Sequence, residues 1–139
     1  MIIVACVALA AATEVVPITT ATAEDTLSSG RWFVKFYAPW CGHCQRLEPT
    51  WISLADAAAA SGADFKVAEV DCTVETDLCK VFGIRGYPTL NLLDGETMYA
   101  YRSERSAEAL LTFAMEGYKN APEIPVPKLH ELSVKSDEL

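Results

Sequence analysis

Residues 32–37 (Trp-Phe-Val-Lys-Phe-Tyr) form an almost continuous apolar and aromatic run of strand length. Such a run reads as a strand covered on both faces, so the chain needs layers on either side of a sheet. The surrounding pattern supplies them. Residues 14–18 read as a short strand whose Pro17 marks a sheet edge, and Thr22 is placed to cap a short helix over 23–29. Residues 42–60 carry Leu47, Trp51, Leu54, Ala55 and Ala58 at helical spacing, with a kink expected at Pro49. A strand over 66–70, a short helix over 75–82 and a hairpin of 89–93 with 98–101 around Asp94-Gly95 follow. Ser106 is placed to cap a last helix reaching Tyr118, with Ala109, Leu110 and Phe113 on its inner face. Strands alternating with helices before a terminal hairpin predict an α/β fold, a central mixed sheet with helices on both sides.

The 139 residues are enough for one ordinary domain, and 51% apolar against 22% charged residues is the composition of a packed core. The net charge of −8 argues against a nucleic-acid or anionic-membrane binder, whose affinity rests on neutralising phosphates. Residues 1–12 (MIIVACVALAAA) are about half the roughly 20 apolar residues a bilayer span needs, and read as the core of a secretory signal. No Lys or Arg precedes this run, so a mis-assigned start or an N-terminal strand stays open. Small-x-small sites end at Ala12 and Ala23; cleavage after Ala12 keeps the first strand and removes Cys6. Residues 120–139, with three prolines and many charges, read as a flexible tail. That tail ends in Ser136-Asp137-Glu138-Leu139, which resembles the Lys-Asp-Glu-Leu retrieval signal read by a receptor. Taken with the apolar start, it implies the lumen of the endoplasmic reticulum, where disulfides persist.

Cys41-Gly42-His43-Cys44 falls where the buried strand ends and the long helix begins. A sulfur at a helix N-terminus faces unpaired backbone N–H groups and the positive end of the dipole, so its thiolate is stabilised. Cys41 is therefore the expected nucleophile, and Cys44, one turn on, closes on it or expels a bound substrate. A protonated His43 would add a second positive influence on Cys41. Pro39 and Trp40 are expected to fix the approach and exclude water on one side, or to serve turn and core packing.

Residues 36–44 (FYAPWCGHC) and 83–89 (GIRGYPT) resemble the active site of the protein disulfide isomerase family and its facing segment, and the likeness extends over about residues 13–119. The resemblance implies a thioredoxin fold with five strands in the order 1-3-2-4-5 and a cis bond before Pro88, an isomer X-Pro bonds tolerate at about 0.5 to 1 kcal/mol. It further implies that the backbone of Tyr87 pairs with an extended substrate strand, and that the proline ring keeps metal ions off the cysteines. The final domain of multi-domain retrieved isomerases, with its VKFYAPWCGHC and EVDCT strands, is the nearest likeness within the family.

The sequence departs from that family at Lys35, at Glu69 and in the residues before Arg105. Lys35 stands where most such domains have a buried acid, and Glu69 stands where the neighbouring strand carries the usual lysine. A charge-swapped pair is expected, cheaper to bury than either ion alone. Either Glu69, biased by Lys35, accepts the Cys44 proton, or the pair is structural, or Lys35 snorkels to the surface. Arg105 matches a family arginine that swings toward the second cysteine, but it lacks the usual preceding glycines and also reads as a surface residue. Arg85 beside Gly86 is placed for substrate contact, or is simply solvated.

Cys72 and Cys79 are expected to form a structural disulfide, worth about 2 to 3 kcal/mol for so short a loop; two buried thiols or a second redox pair are the alternatives. A four-cysteine zinc site is a poor fit to the six-residue gap between them, so no metal and no cofactor is expected. His130 in the tail reads as solvated. The implied activity is thiol–disulfide exchange on nascent or unfolded secretory proteins, with an upstream oxidant or reductant as second partner and without nucleic acid or membrane insertion. A client-binding module with secondary cysteines is the alternative. With one such domain, oxidation or reduction is expected to exceed isomerisation.

Overall fold

The computed structural model describes residues 14–130 and 132; the expected signal segment and the terminal tetrapeptide lie outside them. The expected double-sided strand is β2 (Arg31–Tyr37), whose five central residues are all buried. It pairs in parallel with β3 (Phe65–Asp71) and antiparallel with β4 (Thr89–Asp94). With β1 (Val16–Pro17) and β5 (Thr97–Tyr101) these strands follow the order 1-3-2-4-5. Pro17 sits on the edge strand, where its missing N–H costs no ladder bond.

Each face of the sheet carries its own apolar layer. Trp32, Val34, Phe36, Ala68, Val70 and Leu93 point to the side of α1 (Ala23–Leu27) and α3 (Thr76–Val81). Phe33, Val67, Leu90 and Leu92 point to the side of α2 (Gly42–Ala60) and α4 (Ala107–Met115). The helical spacing on α2 does what it predicts: Leu47, Trp51, Leu54, Ala55 and Ala58 are buried. Trp51 adds a hydrogen bond from Nε1 to the Ala68 carbonyl at 3.0 Å, tying helix to sheet. Pro49 lies within a single helix.

Four local expectations are corrected. Thr22 does not cap α1, because its backbone is already helical rather than extended and its hydroxyl accepts instead from the Thr19 N–H at 3.0 Å. The hairpin loop is Gly95-Glu96, one residue further than expected, since Asp94 pairs with Thr97 and only Gly95 takes the positive φ of 63°. The last helix is capped by Ser106 but ends at Met115, and a 3-10 turn over Gly117–Asn120 carries Tyr118 inward. There its ring meets Tyr99 at 5.3 Å and lies under the Arg31 guanidinium. The sheet has a sixth strand, β6 (Ile124–Pro125), in the segment expected to be a flexible tail. That segment cannot fold alone, but the edge of β5 offers it unpaired backbone groups. Ile124 takes register opposite Met98, and Val126, Leu129 and Leu132 pack on the core.

Cys72 and Cys79 form a disulfide joining the end of β3 to α3, which removes both from any zinc site.

Leu92 is fully buried in β4. Leu92→Ala should lower unfolding stability by about 2 to 5 kcal/mol, read as a lower denaturation midpoint with an unchanged slope.

Candidate active site

Two free cysteines occupy the junction of β2 and α2. After Tyr37 the chain turns through Ala38, and Cys41 becomes the N-cap of α2 with an extended backbone of φ −76° and ψ 122°. A helix begins with amides that have no carbonyl four residues back. The Cys41 sulfur takes one of them, accepting the Cys44 N–H at 3.4 Å. The Cys41 thiol is thereby held below its ordinary range, chiefly by the hydrogen bond from the Cys44 side chain and then by the amides of Cys44 and His43 and the charge of Arg46. Cys44 behaves oppositely. Burial first, and the hydrogen bond to Cys41 second, push its thiol up to about 11. The pair therefore consists of one sulfur disposed to ionise and one disposed to keep its proton.

His43 acts differently from the expectation. Its ring is exposed and its Nδ1 lies 2.9 Å from an Arg46 nitrogen. A guanidinium has only donors, so Nδ1 is the acceptor. What reaches Cys41 from His43 is its backbone N–H, and the positive charge comes from Arg46. Sequence reasoning missed Arg46, although it stands one turn beyond His43 on the same helix. A Cβ at Gly42 would lie 3.5 Å from Nη1 of Arg46, an ordinary van der Waals contact.

The segment facing the dithiol is the loop before β4. Its Tyr87–Pro88 bond is cis, and the Tyr87 carbonyl accepts from the Cys41 thiol at 3.5 Å. Trp40 does not shield the site: it is 71% exposed, with its ring edge-on to Tyr87 at 5.9 Å. It belongs to neither the core nor a water-excluding wall, and presents an open aromatic surface next to the Cys41 turn.

Lys35 and Glu69 stand opposite each other in the β2–β3 register, with Nζ 3.2 Å from Oε2. Lys35 is buried and does not snorkel; its ammonium also lies 4.8 Å from the Tyr37 ring centroid. Both side chains line a cavity of about 230 Å³ together with Cys44, Tyr37 and Glu48. Lys35 is the cation whose charge favours the Cys44 thiolate. The Tyr37 hydroxyl is pushed up to about 12 by burial and by the surrounding Glu69, Asp71 and Glu48. Glu48, four residues past Cys44 on α2, was also missed from sequence.

Arg105 is exposed and lies in a groove lined by Tyr87 and Pro88, not against Cys44. Arg85 is exposed on the loop leading to the cis bond. His130, expected to be solvated, has its Nδ1 3.1 Å from Glu24 on α1. Among the described residues no group of three or more His, Cys, Asp or Glu could hold a metal ion, and no helix is long and apolar enough to cross a membrane.

The thioredoxin family model matches residues 14–116. Among similar proteins, a thioredoxin domain-containing protein of Theileria parva is 49% identical over 107 residues, covering 76% of this chain and 47% of its own. Protein disulfide-isomerase TMX3 of Xenopus laevis is 40% identical over 95 residues, 66% of this chain and 21% of that protein. The chain thus spans less than half the length of these relatives. Among solved structures, the zinc-bound form of human ERp44 superposes with a TM-score of 0.68 at 29% identity, over 73% of this chain and 30% of that one. The J-Trx1 fragment of ERdj5 does so with a TM-score of 0.66 at 29% identity, over 76% and 52%.

Because the Cys44 side chain is the largest influence lowering the Cys41 thiol, Cys44→Ala should move the midpoint of Cys41 alkylation to higher pH. Iodoacetamide rates against pH, read by mass spectrometry of the Cys41 peptide, check this; an unmoved midpoint contradicts it.

Proposed function

The chain belongs to the thioredoxin family, and from that premise we propose that it is a thiol–disulfide oxidoreductase acting on secretory proteins in the lumen of the endoplasmic reticulum. The observation that carries the reading is the Cys41 sulfur at the N-cap of α2, accepting the Cys44 amide and facing the Tyr87 carbonyl. A thiolate there attacks one sulfur of a client disulfide, forming the Cys41–client bond and releasing the other client sulfur as thiolate. Cys44 then loses its proton, attacks the Cys41 sulfur and frees the client as a thiol, leaving the Cys41–Cys44 disulfide. Run in reverse, the same steps donate a disulfide, with an upstream oxidant restoring the pair.

The second step needs a proton acceptor, because Cys44 is the thiol pushed up to about 11. We assign that role to Glu69. Its carboxylate and Cys44 line one cavity of about 230 Å³, with room for water to relay the proton. The Lys35 ammonium holds the carboxylate at 3.2 Å and favours the Cys44 thiolate. The luminal location is supported by the apolar residues 1–12 and the terminal Ser136-Asp137-Glu138-Leu139; the receptor that reads such a tetrapeptide is the partner they imply. Trp40, Arg85, Tyr87 and Pro88 form the surface offered to a client.

Cys41→Ser with Cys44→Ser should abolish reduction of a model protein disulfide, whereas a client-binding module would keep its activity in that variant. Glu69→Gln should slow resolution of a Cys41 mixed disulfide by about 10²-fold, the usual size of a lost proton-transfer group, with little change in the rate of its formation. Stopped-flow fluorescence on a preformed mixed disulfide separates the two steps, and unaltered resolution removes the role from Glu69.

A further inference from the structure

Acids outnumber bases 19 to 11 in this chain, yet two arginines with no ion-pair partner among the described residues line a groove that starts at Tyr87, the residue facing Cys41. Arg31 is bound to Asp64, on another part of the fold. Arg102 and Arg105 are exposed and join no ion pair among the described residues. Both line a groove of about 740 Å³ that begins at Tyr87 and Pro88 and runs over the β4–β5 register pair Asn91 and Ala100. Its near end is the residue whose carbonyl meets the Cys41 thiol. The nearby acids Glu104 and Glu108 line an adjoining hollow that shares Tyr101 and Ser103 with the groove, and neither forms an ion pair with Arg102 or Arg105. On the opposite flank of the dithiol the balance is acidic by one charge, since Glu48 and Glu69 share the Cys44 cavity with Lys35, which pairs with Glu69.

We propose that the groove is a specificity subsite for an acidic side chain of the client, on one side only of the client cysteine. The inference rests on the oxidoreductase reading and adds to it which clients are favoured. An extended client segment that places its cystine sulfur at Cys41 and its backbone at Tyr87 must run past the arginines in one direction and past the glutamates in the other. Because successive side chains of an extended chain alternate, residues two before and two after the cysteine share one face, and an Asp or Glu at one of these positions meets Arg102 and Arg105. The chemistry is unchanged: Cys41 attacks the client disulfide, one client half stays bonded to it and the other leaves as thiolate. Charge acts on encounter and positioning, where complementary fields raise association rates by about 10-fold or more.

The test uses the reduced full chain and disulfide-linked peptide dimers carrying Asp, Ser or Lys two residues before or two residues after the cysteine. Each rate is normalised to that of the same peptide with 2-mercaptoethanol, which removes differences in intrinsic reactivity. At one of the two positions Asp should react about tenfold faster than Lys, against the sign of the net charge. The difference should collapse at 1 M salt, where the Debye length is about 3 Å, and Arg102→Glu should abolish or reverse it. Equal normalised rates at both positions, or a preference untouched by Arg102→Glu, overturns the subsite while leaving the oxidoreductase reading in place. No reaction of Cys41 with any peptide defeats that reading, and the subsite with it.

Discussion

Burial of β2 on both faces is the constraint from which the site follows. A strand with Trp32, Val34 and Phe36 toward one layer and Phe33 toward the other has to lie in the middle of the sheet. It can be followed only by an element that leaves the sheet at its end. That element is α2, and its first turn needs partners for amides that no helical carbonyl reaches. The partner at the N-cap is a sulfur. The lowered Cys41 thiol is thus a by-product of how a central strand hands over to a helix, and the raised Cys44 thiol comes from burial one turn deeper in the same junction.

The same strand carries the most unusual feature of the interior. Lysine is among the residues least often fully buried unless paired, and Lys35 is 3% exposed. The parallel register of β2 and β3 sets Glu69 directly beside it, on the face that α2 covers. Breaking such a pair from one side leaves an uncompensated charge, which ordinarily costs more than the pair contributes. The two ions also line a cavity of about 230 Å³ that they share with the Cys44 thiol. The buried ion pair of the sheet and the carboxylate proposed to take the Cys44 proton are therefore the same pair of residues.

Charge around the dithiol is uneven, with Lys35 a buried ammonium among the carboxylates on the Cys44 side. Carboxylates surround the Cys44 cavity and Tyr37, whereas guanidinium groups stand beside Cys41 and along the groove from the cis bond. Arg102 and Arg105 stay exposed along that groove in a chain with a large acidic excess. The docking of β6 on the far edge of β5 covers part of that strand and leaves its Tyr101 end beside the groove.

Much of this was legible from residues 14–119, because local pattern and tertiary structure agree there. Apolar periodicity placed α2 over residues 42–60 and located its buried face, and the apolar run placed β2. The likeness around residues 36–44 and 83–89 anticipated the strand order and the cis bond. Misreadings occurred where a residue's role depends on a neighbour distant in sequence or on which way a side chain turns. The tail residues 124 and 125 read as unfoldable because nothing local shows that β5 has an open edge. His43 and Trp40 read by composition as a charge donor and a shield, but the first spends its ring on Arg46 and the second stands in solvent. Glu48 and Arg102 gain meaning only once the helix and the hairpin bring them to the site. The sequence by itself determined the layers, the position of the dithiol at the start of α2 and the identity of the buried ion pair, since periodicity, helix position and residue type are local properties. Only the tertiary structure decided which charges face which sulfur, because electrostatic influence follows distance through the folded molecule and not separation along the chain.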